Sequence, residues 1–273
     1  MERKINRGSK EEITFWDHLD DLRKILFRII IVVIVFMAVA FLNKDLLFGI
    51  VLAPQKSDFM LYRFLCWVAD AVSFPALCPE DFQTVLINTQ LASQFLIHMK
   101  TAFYSGILIA FPYIVFSIFR FISPALYEHE RKYTIWVMVY SSLLFGVGVL
   151  LNYVLVFPLS FRFLATYQVS PEIQNTINLS SYIDTFLMLS LMLGIMSELP
   201  IISWLFAKLG LLTDVFMRKY RKHAIVVILI LSAVITPTAD VFTLLLVFIP
   251  IYALYELSIL IVKRTKKKLR IEN

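Results

Sequence analysis

The chain has 273 residues, of which 59% are hydrophobic and only 17% charged, against roughly 25% charged in soluble domains. With a mean hydropathy of +0.78, it carries more apolar surface than one soluble core of this size can hide, which excludes a soluble globular domain. The formal net charge of +6 is read as membrane topology rather than nucleic-acid binding, because Lys and Arg collect beside membrane spans.

Residues 1–12 are polar and without pattern. No cleavable signal peptide is expected, since the first apolar run begins near Ile25, behind polar residues and without an A-x-A-like site. From Ile13 onward Phe15, Leu19, Leu22 and Leu26 recur at helical spacing, with Asp17, Asp20, Asp21 and Lys24 off that stripe. The pattern predicts an amphipathic helix on the membrane surface that bends into a first span over residues 24–42. On pattern alone its carboxylates read first as a solvated helix face.

Residues 43–94 form the longest segment outside the spans, broken by Gly49, Pro54, Pro75 and Pro79, with short helices predicted over 59–68 and 82–95. Both cysteines, Cys66 and Cys78, lie here. Outside the cytoplasm a disulfide between them is allowed, and spacing alone leaves bonded and free states open. A second span over 95–119 contains Gly106, Pro112, expected to kink it, and Lys100, expected to snorkel toward the interface.

Next comes FISPALYEHER, residues 121–131. In a chain this apolar, a charged cluster tied to two spans reads as a docking site rather than a spacer. The third span, 133–158, presents Ser141, Ser142, Gly146 and Gly148 as a small-residue face for close helix approach. A second loop over 160–179 leads to a fourth span, 181–207, which carries Glu198 followed by Pro200. A short basic loop, 208–222, precedes a fifth span over 223–236. At about 21 Å it falls short of an apolar bilayer core of about 30 Å, so local thinning is expected. A tight turn at 236–240 leads to a sixth span over 241–262, with Pro250 and Glu256, and then to a basic tail, 263–273, expected to be disordered.

Segments 1–28, 120–132, 208–222 and 263–273 hold seven, three, five and six Lys/Arg, whereas the intervening loops hold four in all. That asymmetry puts both termini and the 121–131 loop in the cytoplasm. The expected fold class is therefore all-α: a polytopic membrane protein with six transmembrane helices and both termini cytoplasmic, forming a single integral membrane domain over 1–273.

No nucleotide-binding, hydrolase or redox motif is present, and His18, His98, His129 and His223 have no metal-ligand spacing, so neither enzyme chemistry nor a metal or cofactor is expected. What remains is carboxylates. Glu198 and Glu256 lie within apolar runs, where an ionisable group is costly and marks either function or a hydrogen bond to a neighbouring helix. Asp21 and Glu130 lie near span ends. A carboxylate pair prefers the planar fork of guanidinium groups to lysine, so the ligand they suit carries adjacent arginines. Glu130 also reads as an ordinary loop charge paired with Arg131 or Lys132.

At these residues the chain resembles the TatC family of the twin-arginine protein translocase. The resemblance covers residues 13–262 and rests on FWDHLDDLRK at 15–24, AP at 53–54, FISPALYEHER at 121–131, FPLSFRFL at 157–164, SELP at 197–200 and TPTADVF at 236–242. It implies a receptor for twin-arginine signal peptides of folded cargo in the inner membrane of a bacterium. Such a receptor works with TatA- and TatB-like single-span partners, self-associates in a receptor complex and is driven by the proton-motive force. By motif position Glu130 and Phe121 are its signal-peptide-binding residues, with Asp21, Leu22 and Arg23 in the HLxELR-like motif. Asp21 stands where the family has Glu, one methylene longer, and Glu128 stands where a basic residue is common. Glu198 matches a polar position of partner and signal contact, and Pro54, Pro112 and Asp240 match structural positions. A proton-coupled transporter of a small solute, with Glu198 and Glu256 as proton carriers, is the alternative, and a structural scaffold a third.

Overall fold

The computed structural model describes residues 15–72, 85–122, 134–170, 175–236 and 240–272. Helix α1, Phe15–Leu42, contains neither Gly nor Pro, so nothing interrupts it. The expected surface segment and first span are therefore one continuous helix. At Asn43 the chain turns, its Nδ2 donating to the Val39 carbonyl at 2.8 Å, and enters α2, Lys44–Val51. A 3₁₀ turn at Ala53–Gln55 leads to α3, Met60–Val72. Residues 86 and 87, expected to be helical, are instead extended: β1, Leu86–Ile87, pairs in parallel with β2, Ile177–Asn178. Pairing with a strand some ninety positions away is invisible to local helical propensity.

Helix α4, Ser93–Ile122, runs through Pro112 without a break in assignment. Helix α5, Thr134–Leu151, widens into a π turn at Asn152–Val156 and continues as α6, Phe157–Thr166. The wide turn lies just ahead of Pro158, whose ring clashes with the preceding turn in a regular helix. The third span thus runs on past the expected start of the loop at 160, because Phe161 and Ala165 are buried in the core. Helices α7, Leu179–Met196, and α8, Leu199–Lys208, form the fourth span, broken at Ser197–Glu198 ahead of Pro200. Gly210 ends α8 in the left-handed conformation, φ 75°, which a side chain resists. The basic 208–222 segment holds a short helix, α9, Asp214–Lys219, capped by the Thr213 hydroxyl.

Helix α10, Arg221–Ile235, has 15 residues and is the short fifth span of the sequence reading. The last helix, α11, Val241–Glu272, begins where Asp240 accepts the Thr243 amide at 2.6 Å. It extends through the tail that was expected to be disordered. Ile259 and Val262 pack with Ala207 and Met217, and Thr265 is buried one turn further on, so α8 and α9 support the helix beyond the apolar span. Among the described residues five helices are long and apolar enough to cross a membrane: Leu19–Leu42, Ser93–Phe121, Ile135–Thr166, Leu179–Lys208 and Val241–Lys267.

The core sits on α6, α7 and α11, around Phe157, Tyr182, Phe186, Leu193, Val247 and Ile251. Helix α1 packs chiefly on α4 and leaves Ile31, Ile34, Val35 and Val39 exposed, a face suited to lipid. At the far end of the bundle, away from the chain ends, three tyrosine hydroxyls tie the 43–72 segment down. Tyr62 donates to the Pro158 carbonyl at 2.9 Å, Tyr182 to Val51 at 2.9 Å and Tyr153 to Ile50 at 3.1 Å. Burial pushes the Tyr62 hydroxyl well above its ordinary pKa, so it stays a donor. Pro54 is buried beside this tie. Cys66, on α3, is disulfide-bonded, and Cys78 lies outside the described residues.

Candidate functional site

Two places bring the predicted polar residues together. The first is the seam between α5 and α7. Glu198 takes the N-cap position of α8, yet its side chain makes no capping bond. It turns sideways instead. The Ser141 hydroxyl donates to Glu198 Oε2 at 2.5 Å, and Glu198 is only 8% exposed. Oε1 is buried and has no hydrogen-bond partner among the described residues.

The seam is close because its residues are small. A Cβ on Gly148 would lie 2.6 Å from the Leu193 carbonyl and against the Ser197 hydroxyl, and one on Gly194 would lie 2.6 Å from the Phe145 ring. Further along the same antiparallel pair, buried Asn152 donates to Ser190 Oγ at 2.8 Å. Polar contacts thus repeat along the seam at Ser141–Glu198 and Asn152–Ser190.

Ser141→Ala should cost about 1–2 kcal/mol of stability in detergent. That exceeds the roughly 0.6 kcal/mol average for side-chain hydrogen bonds within membranes, because a buried carboxyl loses its partner. Combining it with Glu198→Leu should restore most of that loss, since both polar groups are then gone. A Ser141→Ala variant as stable as the parent would show that the bond contributes nothing.

The second place is the near end of the α1–α4 pair. Gly106 on α4 sits against Met37 and Val33 of α1, and His98 stacks on Phe41 with ring centroids 4.1 Å apart. Continued along two antiparallel helices, that register brings Asp21 level with Phe121. Asp21 is exposed, and its one ion pair among the described residues, to Lys24 at 3.4 Å, is exposed too and therefore weak. Arg23 lies over the Phe27 ring, 5.7 Å from its centroid, and Leu22 is exposed. Glu130 lies outside the described residues, as does most of the 121–131 stretch.

Glu256 stands apart from both. Arg221 donates to its Oε2 at 2.6 Å and Tyr252 to its Oε1 at 3.0 Å, so it ties α10 to α11. The sequence reading named Glu256 but not Arg221, 35 positions earlier. It gave Lys100 to the interface, whereas Lys100 pairs with Asp184 at 2.6 Å and joins α4 to α7. Opposite charges set at matching depth in neighbouring spans were the available signal for both pairs. Pro112 lines a cavity of about 650 Å³ between α1, α2, α4, α5 and α7, with Asn43, Ser142 and Ser190 among its few polar groups. Among the described residues no group of His, Cys, Asp and Glu could hold a metal ion.

Comparison with known proteins gives this arrangement its family. The family described as Sec-independent protein translocase protein (TatC) matches residues 17–250. The Sec-independent protein translocase protein TatC of Blattabacterium sp. subsp. Periplaneta americana is 34% identical over 265 residues, 96% of this chain and 99% of that protein. The TatC of Escherichia coli is 31% identical over 244 residues, 89% of this chain and 85% of its own length. A crystal structure of the twin arginine translocase receptor TatC superimposes with a TM-score of 0.73 at 30% identity, covering 91% of this chain and 99% of that one. A TatC structure in the detergent DDM gives 0.74 over 90% and 99%. The polar α5–α7 seam, the short α10 and the Asp21–Phe121 register are thus features of a chain that belongs to the TatC family of Sec-independent protein translocase proteins.

Proposed function

We propose that this chain is the signal-peptide receptor of a twin-arginine translocase, binding the paired arginines of folded cargo through Glu130 and Asp21, with Phe121, Leu22 and Arg23 shaping the site. The observation that carries this reading is the α1–α4 register, which puts Asp21 at the level where the FISPALYEHER stretch begins. Among the described residues, a guanidinium entering there displaces the weak Lys24 contact. The chain acts as one integral domain of a bacterial inner membrane, with both termini in the cytoplasm, where its basic segments belong.

The seam at Glu198 is the contact for partner helices, single-span proteins of the TatA and TatB kind, within a self-associated receptor complex driven by the proton-motive force. A buried carboxyl oxygen without a partner among the described residues is a strong acceptor for an incoming polar group. Pro54, Pro112 and Asp240 act structurally. The comparisons lend nothing to a solute transporter, and Glu256, its second proton carrier, is engaged by Arg221.

A photoreactive phenylalanine analogue at position 121, with Glu130 left in place, tests the reading. A peptide with paired arginines should crosslink strongly, and the same peptide with paired lysines should not. Equal labelling by both would remove arginine recognition from this loop.

A further inference from the structure

Helix α3 is apolar on both of its faces. On one, Leu61 and Tyr62 are buried against Tyr153 and Leu159 of the third span. On the other, Met60, Phe64 and Trp67 recur at helical spacing, each more than half exposed, and the Phe64 and Trp67 rings stack with centroids 6.1 Å apart. The two charges of the helix, Arg63 and Asp70, are exposed and opposite in sign.

The depth of α3 follows from its neighbours. On the third span, exposed Trp136 and Tyr140 mark one boundary of the bilayer, as aromatic residues do at membrane interfaces. Pro158, whose carbonyl accepts the Tyr62 hydroxyl, lies about 33 Å further along that helix, against an apolar core of about 30 Å. An ion pair marks the same level. Tyr153 packs edge-on against Phe186 of α7, and Asp184, one position away from Thr185 and half a turn before Phe186, pairs with Lys100 at 2.6 Å with both side chains exposed. An exposed ion pair belongs with the headgroups rather than in hydrocarbon. The Phe59 ring, just ahead of α3, meets the same Tyr153 at 5.5 Å between centroids. Helix α3 therefore stands at the far boundary of the bilayer. Because α6 runs on to Thr166, about two turns past Pro158, α3 lies beside the bundle, and its exposed face points sideways.

What lies sideways at that depth is lipid. Two aromatics of about 150–250 Å² each and one methionine, all partly buried already, fall short of the roughly 800 Å² that each partner gives to a stable protein interface. A bilayer boundary needs no matching surface: it takes Trp and Phe at headgroup depth and lets an arginine reach out to water. We infer that α3 is an interfacial anchor, lying among the headgroups of the leaflet at the far end of the bundle, with Met60, Phe64 and Trp67 dipped toward the acyl chains. It is held by apolar burial rather than by headgroup charge.

The fluorescence of Trp67 tests this, taken as the difference between the parent and Trp67→Phe. The full-length protein is placed in bilayers whose acyl chains carry bromine either just below the headgroups or near the midplane. Shallow bromine should remove about half or more of the Trp67 emission, because an interfacial helix sinks its apolar face about 5–10 Å into the headgroup–acyl boundary. Midplane bromine and aqueous iodide should each remove little. Phosphatidylcholine and phosphatidylglycerol bilayers should give the same result, since Arg63 and Asp70 cancel. Phe64→Glu, on the face away from the Tyr62 tie, should stay folded by circular dichroism, yet lose shallow-bromine quenching and gain iodide quenching. Quenching of the parent by iodide and not by bromine overturns the inference and puts the face in water. Protection from both quenchers overturns it in favour of a protein cover, such as a second copy of this chain. Midplane bromine as effective as shallow bromine, or quenching that Phe64→Glu leaves unchanged, overturns it too.

Discussion

Replacing Glu130 with alanine should abolish export of a twin-arginine cargo while leaving the chain inserted and as stable as the parent. On the proposed reading this carboxylate is the group in the FISPALYEHER stretch that pairs an incoming arginine, and a guanidinium–carboxylate pair owes its strength to charge and to two parallel hydrogen bonds. Losing such a bond costs about 2 kcal/mol, or roughly thirtyfold in affinity, enough to empty a receptor whose ligand is scarce. Glu130→Gln separates charge from shape: it keeps the side chain's size, forfeits the ionic attraction, and should be nearly as defective. Asp21→Ala should weaken binding less, because Asp21 reaches less far, and Asp21→Glu should bind at least as well as the parent. In-vivo export and peptide affinity in detergent measure both effects. Export by the Glu130→Ala protein at the parent rate would remove Glu130 from the receptor site.

How much of this could be read from the sequence depends on whether a feature is local. The long apolar runs were legible because crossing a bilayer imposes a length and a composition on consecutive residues. Glu198 was legible as a carboxyl out of place in such a run, but its partner was not. Ser141 is 57 positions away, and only the close approach allowed by Gly148 and Gly194 brings them together. Glu256 looked like the same anomaly, and its Arg221 lay unnoticed in what the sequence presented as a basic loop.

The tail was misread for a related reason. Lys263, Arg264, Lys266 and Lys267 are what a solvated segment looks like, while the support for that helix comes from Ala207 and Met217 through Ile259 and Val262. The end of the third span was misread likewise, since Phe161 and Ala165 are core residues only because α7 packs against them. Residues 86 and 87 took an extended form because a strand offered by residues 177 and 178 satisfies their backbone groups.

The seam between α5 and α7 offers a test in which two neighbouring glycines should behave oppositely. Gly148→Val places a branched side chain where even a Cβ meets the Leu193 carbonyl at 2.6 Å and the Ser197 hydroxyl. Neither obstacle is a flexible tip: one is backbone, and the other donates to Leu193 at 2.8 Å. The helices must move apart, at about 1–3 kcal/mol for an overpacked contact. The separation should also pull Ser141 from Glu198, so binding of a partner helix should fall along with stability. Gly146, two residues earlier, has nothing within 4 Å of its would-be Cβ. Gly146→Ala should therefore be neutral or slightly stabilising, since alanine favours a helix over glycine by about 1 kcal/mol. Thermal unfolding in detergent measures both. If Gly148→Val and Gly146→Ala unfold at the same temperature, the close approach of α5 to α7 is not what holds Glu198 in place. A loss confined to Gly148→Val would locate the support of the buried carboxyl in a residue whose only contribution is the absence of a side chain.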